Sequence, residues 1–173
     1  PAPRCQQDGE HRHARERMRN AAMNLDVVPA KERSNDIDVR KIDDVLRGLL
    51  TQCDATTALV TDQAGFLITH QGDDRQFDLT SIAALASGAF MANQSIANLI
   101  QEENFSSTYQ QGDQHSLFVR HVEGECMLLV IFPAKGSVGA VKYYAAGVSE
   151  QIARQLKEAR ERDPGAGVDL AVL

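Results

Sequence analysis

The sequence predicts an α/β (α+β) domain: a five-stranded antiparallel sheet flanked by helices, in the order α-β-β-α-β-β-β-α. Three observations lead there. Residues 37–53 and 138–159 repeat apolar side chains every three or four positions, which is the helical period. Five short β-prone runs lie between them, two before and three after a long stretch from Leu79 to Gln101. Gly- and Asp-bearing turns separate the runs within each group, so a hairpin and a three-stranded meander can share one antiparallel sheet with helices on its faces.

The first helix is read from Ile42, Val45, Leu46, Leu49 and Leu50. Asp36 or Asp38 can cap it, and its acidic start suits the positive end of the helix dipole. Cys53 closes the apolar stripe as a core residue. The runs TTALVTD and FLITHQG follow, joined through Gly65 as a hairpin. Gly72-Asp73-Asp74-Arg75 forms a polar loop.

The stretch Leu79–Gln101 contains no Asp, Glu, Lys, Arg or His. Asp78 stands where a side-chain oxygen caps the first free N–H groups. Ile82, Leu85, Ala89, Ala92, Ile96, Leu99 and Ile100 make one apolar helical face; Ala83, Ala84, Ser87, Met91, Gln94 and Asn98 lie opposite. A helix of a small domain normally turns a charged face to water. The simplest explanation here is a second buried face supplied by a partner. The alternative is burial of both faces within one domain, for which a chain of 173 residues offers few covering elements. Thr80, Ser81, Ser87, Asn93, Gln94, Ser95, Asn98 and Gln101 break up the apolar run and argue against a membrane span.

Phe105 to Gln111 (FSSTYQQ) is an uncharged strand ended by Gly112-Asp113. Ser116 to Val122 is the next strand, and Glu123-Gly124 a tight turn. Cys126 to Phe132 (CMLLVIF) is almost continuously apolar, as expected of a central strand covered on both faces. Pro133 ends it. Ser137 caps the last helix, whose stripe is Val138, Val141, Ala145, Val148, Ile152, Leu156 and Ala159. Gly147 weakens its middle, and Pro164-Gly165 stops it.

The domain is placed at 36–162, with an N-terminal arm, 1–35, read as disordered, and a C-terminal tail, 163–173. The arm carries a net charge of +2 and the remainder −8. An acidic body argues against nucleic acid as the main ligand. Arg12, Arg15, Arg17 and Arg19 could form a basic helical face, but a solvated tail is the plainer reading. Cys5, His11 and His13 supply three donors at no zinc-site spacing, so no metal is expected. Met18 and Met23 are alternative native starts. Three widely spaced cysteines fit a reducing cytoplasm better than a disulfide framework.

No catalytic signature is present. GSVGAVK lacks the spacing and the Lys-Ser/Thr ending of a phosphate-binding loop, and G-x-S-x-G, H-E-x-x-H and C-x-x-C are absent. Asp43-Asp44 and Asp73-Asp74 are sequence neighbours, which do not face each other on a helix. His70, His115 and His121 have no evident Ser or Cys nucleophile beside them. No active site and no cofactor are expected.

The stretches ALVTDQAGFLITHQG, LIQEENFSSTYQQGDQHSLFVRHVEGECMLLVIF and KGSVGAVKYYA, in this order, resemble the roadblock family of dynein light chain-like proteins, nearest to its bacterial members. The resemblance covers about residues 37–161. It implies a homodimer built through the middle helix and the strand after it, and binding to a small Ras-like GTPase. Some members accelerate GTP hydrolysis by repositioning the GTPase's own residues, and others scaffold. The basic N-terminus is outside the family pattern.

The residues agree with a dimer. Phe105–Gln111 lacks the Lys or Pro that usually guards a sheet edge. The expected dimer or partner surface comprises Ala84, Ser87, Met91, Gln94, Asn98, Ser107 and Tyr109. Arg75, Phe90 and Met91 are the expected GTPase contacts. Asp73, Asp74 and Asp78 are expected to hold Arg75 in ion pairs, which disfavours it as an arginine finger. The competing reading is a small-molecule sensor of profilin-like architecture, which needs a concave pocket with convergent polar groups.

Overall fold

The computed structural model describes residues 30–122 and 126–162. Three helices, α1 (Ala30–Cys53), α2 (Leu79–Leu99) and α3 (Val138–Arg162), accompany five strands. The strands are β1 (Thr57–Asp62), β2 (Leu67–Gly72), β3 (Ser107–Gln111), β4 (His115–Val122) and β5 (Cys126–Pro133). The order is the one expected.

Chain contacts separate residues 1–36 from 37–173. Of the first unit, the described part is the helical backbone from Ala30 onward. This corrects one expectation: α1 starts about two turns earlier than residue 37, so neither Asp36 nor Asp38 caps it. Nothing between Ala30 and Asp36 is Gly or Pro, so no residue there breaks the helix. The Cys5–His11–His13 set, the Glu123-Gly124 turn and the tail from 163 lie outside the described residues.

The sheet order is β2-β1-β5-β4-β3, and every pair is antiparallel. Strand alternation sorts the side chains into two layers. Ala58, Val60, Phe118, Val122, Leu128, Val130 and Phe132 pack with Ile42, Leu46 and Leu49 of α1 and Val141, Ala145, Val148 and Ile152 of α3. Leu59, Val119, Met127, Leu129 and Ile131 pack on the other side against Leu79, Ala83, Ala86 and Phe90 of α2. The apolar run of β5 follows from this: seven consecutive residues, Cys126–Phe132, are buried because both faces of the strand are covered.

Local signals fix the helix ends. Ala140 N–H donates to Ser137 Oγ at 3.2 Å, the expected cap of α3. Ala55 N–H bonds Leu50 O, with Asp54 at φ 50°. Glu102 N–H bonds Ala97 O and Gln101 N–H bonds Asn98 O, with Gln101 at φ 64°. Both are helix stops of the kind that favours glycine in the left-handed position, built here with Asp and Gln.

The Asp78 cap of α2 forms as expected: Ser81 N–H donates to Oδ1 at 3.1 Å and Ser81 Oγ–H to Oδ2 at 2.6 Å. These bonds, the side-chain one foremost, lower the carboxyl pKa. The folded pKa therefore lies below the unfolded one. The cap's contribution is fully present above the unfolded value and fades as pH falls through the folded value. Asp78→Asn should keep a capping oxygen while removing this ionisation. Melting curves from pH 7 down to pH 2 should then show a smaller acid-induced loss for the variant than for wild type.

Candidate functional site

The site is built on α2. Its inward side is small over much of its length: Ala83, Ala86, Ser87 and Ala97 are buried, with Leu79 and Phe90 as the large buried residues and Ile82 packed partly against them. Small side chains let the helix lie close to the sheet. The β1–β2 turn also approaches it closely: a Cβ on Gly65 would sit 2.7 Å from Ala84 Cα. Ser87 Oγ–H donates to the Gln63 carbonyl in the same turn.

Beyond Leu79 and Ile82, the large aliphatics of the helix point away from the core. Leu85 is 74% exposed and Leu99 84%, and Met91, Ile96 and Ile100 are also exposed. Gly88, Ala89, Ala92 and Ser95 fill the space between them, all facing outward. The expectation holds only in part: Ile82 packs on the core as expected, but Leu85, Ala89, Ala92, Ile96, Leu99 and Ile100 of the same expected face are exposed, and Ala83 and Ser87 of the opposite face are buried. The stripe Leu85–Ala92–Ile96–Leu99 is the unpartnered side, and the Ala83–Ser87 side meets the sheet. The spacing of large residues marks an apolar face, but does not say whether this chain or another covers it.

The individual expectations divide accordingly. Ala84, Met91 and Asn98 are exposed on α2. Gln94 is half-buried and its amide donates to Asn104 Oδ1 at 2.5 Å. Ser87 is buried within the chain, which removes it from the outer surface. Phe90 is likewise buried, its ring stacked on His121 with centroids 5.7 Å apart. It serves the core, not a partner. Leu85, Ile96 and Leu99 are the surface residues missed; their size amid an uncharged helix was the available signal.

Ser107 and Tyr109 lie on β3, at one edge of the sheet, with β4 as its neighbour. Tyr109 turns toward the α1/α3 layer, where its ring stacks on Phe132 at 6.1 Å. The backbone of β3 is the exposed feature, and no Lys or Pro guards it. The opposite edge, β2, is tied to α1 by Thr69 Oγ–H donating to Asp43 Oδ1 at 2.5 Å.

Arg75 is exposed in the loop before α2. The expected ion pairs around it do not form. Asp73 accepts from the Arg75 backbone N–H and from Gln76, Asp78 caps α2, and Asp74 lies 3.6 Å from His70. Among the described residues no cluster of His, Cys, Asp or Glu could hold a metal ion, and no helix is long and apolar enough to cross a membrane.

The Roadblock/LC7 domain family model matches residues 41–132. A search of the curated proteins finds no match. Among solved structures, Myxococcus xanthus MglB is 29% identical with a TM-score of 0.65, covering 68% of this chain and 96% of its own. The gliding protein MglB of Thermus thermophilus is 26% identical with a TM-score of 0.63, covering 78% of this chain and 97% of its own. An MglB described as having a tetrameric arrangement is 26% identical with a TM-score of 0.66, covering 79% and 97%.

Proposed function

Because the chain belongs to the Roadblock/LC7 domain family, a family of regulators, we propose that it is a homodimeric, non-catalytic regulator of a small Ras-like GTPase. The observation that carries the reading is the uncharged outer face of α2. Monomers rarely leave a contiguous apolar patch of this kind to water.

A second copy fits that face. Leu85 and Leu99 lie seven residues either side of Ala92, and Gly88 and Ile96 lie four either side. An antiparallel pairing about a two-fold axis at Ala92 sets each Leu85 against the second copy's Leu99. It also sets each Ile96 against the second copy's Gly88. A Cβ on Gly88 would meet nothing within this chain, so the fold of one copy does not require the glycine, whereas close approach of a second helix does. The two-fold arrangement is isologous, so one patch supplies both halves of the contact. The β3 edges can then pair and extend the sheet across the axis. The tetrameric arrangement of one related MglB supports self-association.

The GTPase reading extends the family resemblance and the likeness to the MglB structures. Hydrolysis needs a positioned water and positive charge over the transferred phosphoryl group. The α2 face carries no charge, so it is suited to packing on a switch segment of the GTPase and repositioning its residues. Arg75 is the cation of the adjoining loop. Single-turnover GTP hydrolysis by the cognate GTPase tests its role. Arg75→Ala should leave stimulation within about tenfold of wild type, whereas loss of a true arginine finger costs a factor of about 10³ or more. A loss of that size with binding intact would overturn the non-catalytic assignment. Binding without stimulation by wild type would make the protein a scaffold.

A further inference from the structure

Arg120 is a cation that the single chain does not satisfy. Only Asp62 and Arg120 carry a full charge within the five strands. Asp62 accepts the Phe66 N–H at 2.8 Å in the β1–β2 turn. Arg120 is half-buried in β4, and its Nε is buried without an acceptor. Among the described residues no carboxylate pairs with it. A guanidinium brings five N–H donors, and a buried donor left unpaired is costly.

The place of Arg120 in the sheet points to where the acceptor comes from. It stands directly opposite Ser107 of the edge strand β3. It shares the α1/α3 side of the sheet with Phe118 and Val122, its alternate neighbours. His121 N–H bonds Ser106 O at 3.1 Å, and Gly112 N–H bonds His115 O at 3.0 Å. The even-numbered residues of β3 therefore bond to β4, and the N–H and C=O groups of Ser107, Tyr109 and Gln111 face the open edge. Ser107 and Gln111 lie two residues either side of Tyr109. A second β3 that pairs with all three about a two-fold axis therefore has that axis at Tyr109. An axis at Thr108 or Gln110 leaves one of the three without a partner inside the strand. The Tyr109 axis makes Arg120, Ser107 and the second copy's Gln111 successive neighbours on one face of the joined sheet.

We propose that the Arg120 guanidinium passes over Ser107 and donates to the side-chain amide oxygen of the second copy's Gln111, a contact that rests on the β3 pairing of the proposed dimer. Two strand spacings, about 10 Å, separate the two backbones, and the extended arginine and glutamine side chains together span that gap. Ser107 is small enough for the arginine stem to lie across it, and Gln111 is exposed in the single chain. The two-fold axis makes the bond twice, and a charged donor makes each stronger than a neutral one. The contact also fixes the register. An axis at Thr108 would set Ser107 beside the second copy's Tyr109, whose ring is held by its own Phe132.

The experiment is a double-mutant cycle on the dimer Kd, read by sedimentation equilibrium of the full chain. Within one chain, Gln111 lies four strand positions from the Ser107–Arg120 pair, about 13 Å, so substitutions there should act independently unless two copies meet. Arg120→Met and Gln111→Ala should each raise the Kd by about tenfold or more, and the double variant should be no weaker than the weaker single. Gln111→Glu should lower the Kd by offering the guanidinium a carboxylate, and Arg120→Met should abolish that gain. The Gln111 variants alter an exposed side chain, so they test the contact even if Arg120→Met unfolds. Additive effects, an unchanged Kd in both single variants, or no tightening by Gln111→Glu would overturn the proposal. A dimer that Ala92→Glu dissociates but that ignores Arg120→Met and Gln111→Ala loses this contact alone. A wild type that stays monomeric at about 0.1 mM removes the dimer reading and the contact with it.

Discussion

Ala92→Glu should convert the proposed dimer to a monomer without unfolding it. Ala92 is exposed in the single chain, so the added carboxylate meets water and the fold bears little strain. At the proposed two-fold axis it meets its own copy, and two like charges must be desolvated together. Unpaired buried charges cost about 3–5 kcal/mol, which raises the dimer dissociation constant by about 10²- to 10³-fold or more. Light scattering at micromolar concentration reads the change directly. Met91→Lys should act less strongly, because Met91 is 57% exposed on the flank of the stripe, where a lysine can reach solvent. An Ala92→Glu protein that stays dimeric at micromolar concentration removes α2 as the interface.

Gly65→Ala should destabilise the fold by about 2–5 kcal/mol, combining left-handed backbone strain with overpacking. Gly65 holds φ 90°, and its missing Cβ leaves room for Ala84 Cα at 2.7 Å and Ala83 O at 3.2 Å. Both neighbours are helix backbone, which cannot turn aside as a flexible side chain would. Relief requires α2 to lift from the turn, which also strains the Ser87–Gln63 hydrogen bond. Urea denaturation should show a lower midpoint with unchanged slope. A change below about 0.5 kcal/mol, the usual scale of surface substitutions, would mean that the turn moves freely against α2.

The element order was legible because each signal was local. The apolar run of Cys126–Phe132 announced a doubly covered strand, Ser137 and Asp78 announced helix starts, and Gly65 announced a hairpin. The orientation of α2 was not legible. Sequence periodicity reports which residues share a face, but the choice of face depends on how closely the helix approaches the sheet. That distance is set by Gly65 and the small residues Ala83, Ala86 and Ala97, so Leu85, Ile96 and Leu99 were left outside. Phe90 and Ser87 were misplaced for the same reason, whereas Met91 and Ala84 were placed on the exposed side. The start of α1 was misjudged because Asp36 and Asp38 are plausible caps, and only the continuation of the backbone to Ala30 shows that they are not used.

The sheet order has a consequence for how the protein is made. Strand β1 pairs with β5 across its full length, Thr57 to Asp62 against Ile131 to Cys126, so the second strand of the sheet waits for the last one to leave the ribosome. The floor beneath α2 is delayed in the same way. Leu59 precedes the helix, but Val119, Met127, Leu129 and Ile131 follow it. A nascent chain ending at Gln101 therefore holds a helix with two apolar sides and a hairpin lacking most of its packing partners. Long-range pairing of this kind slows folding and leaves apolar surface open during synthesis. The face of α2 that a second copy would recognise is defined only once β5 has claimed the other side. The proposed pairing through α2 would thereby wait until translation has passed Pro133, and a chain truncated before that point would offer any neighbour two apolar surfaces instead of one.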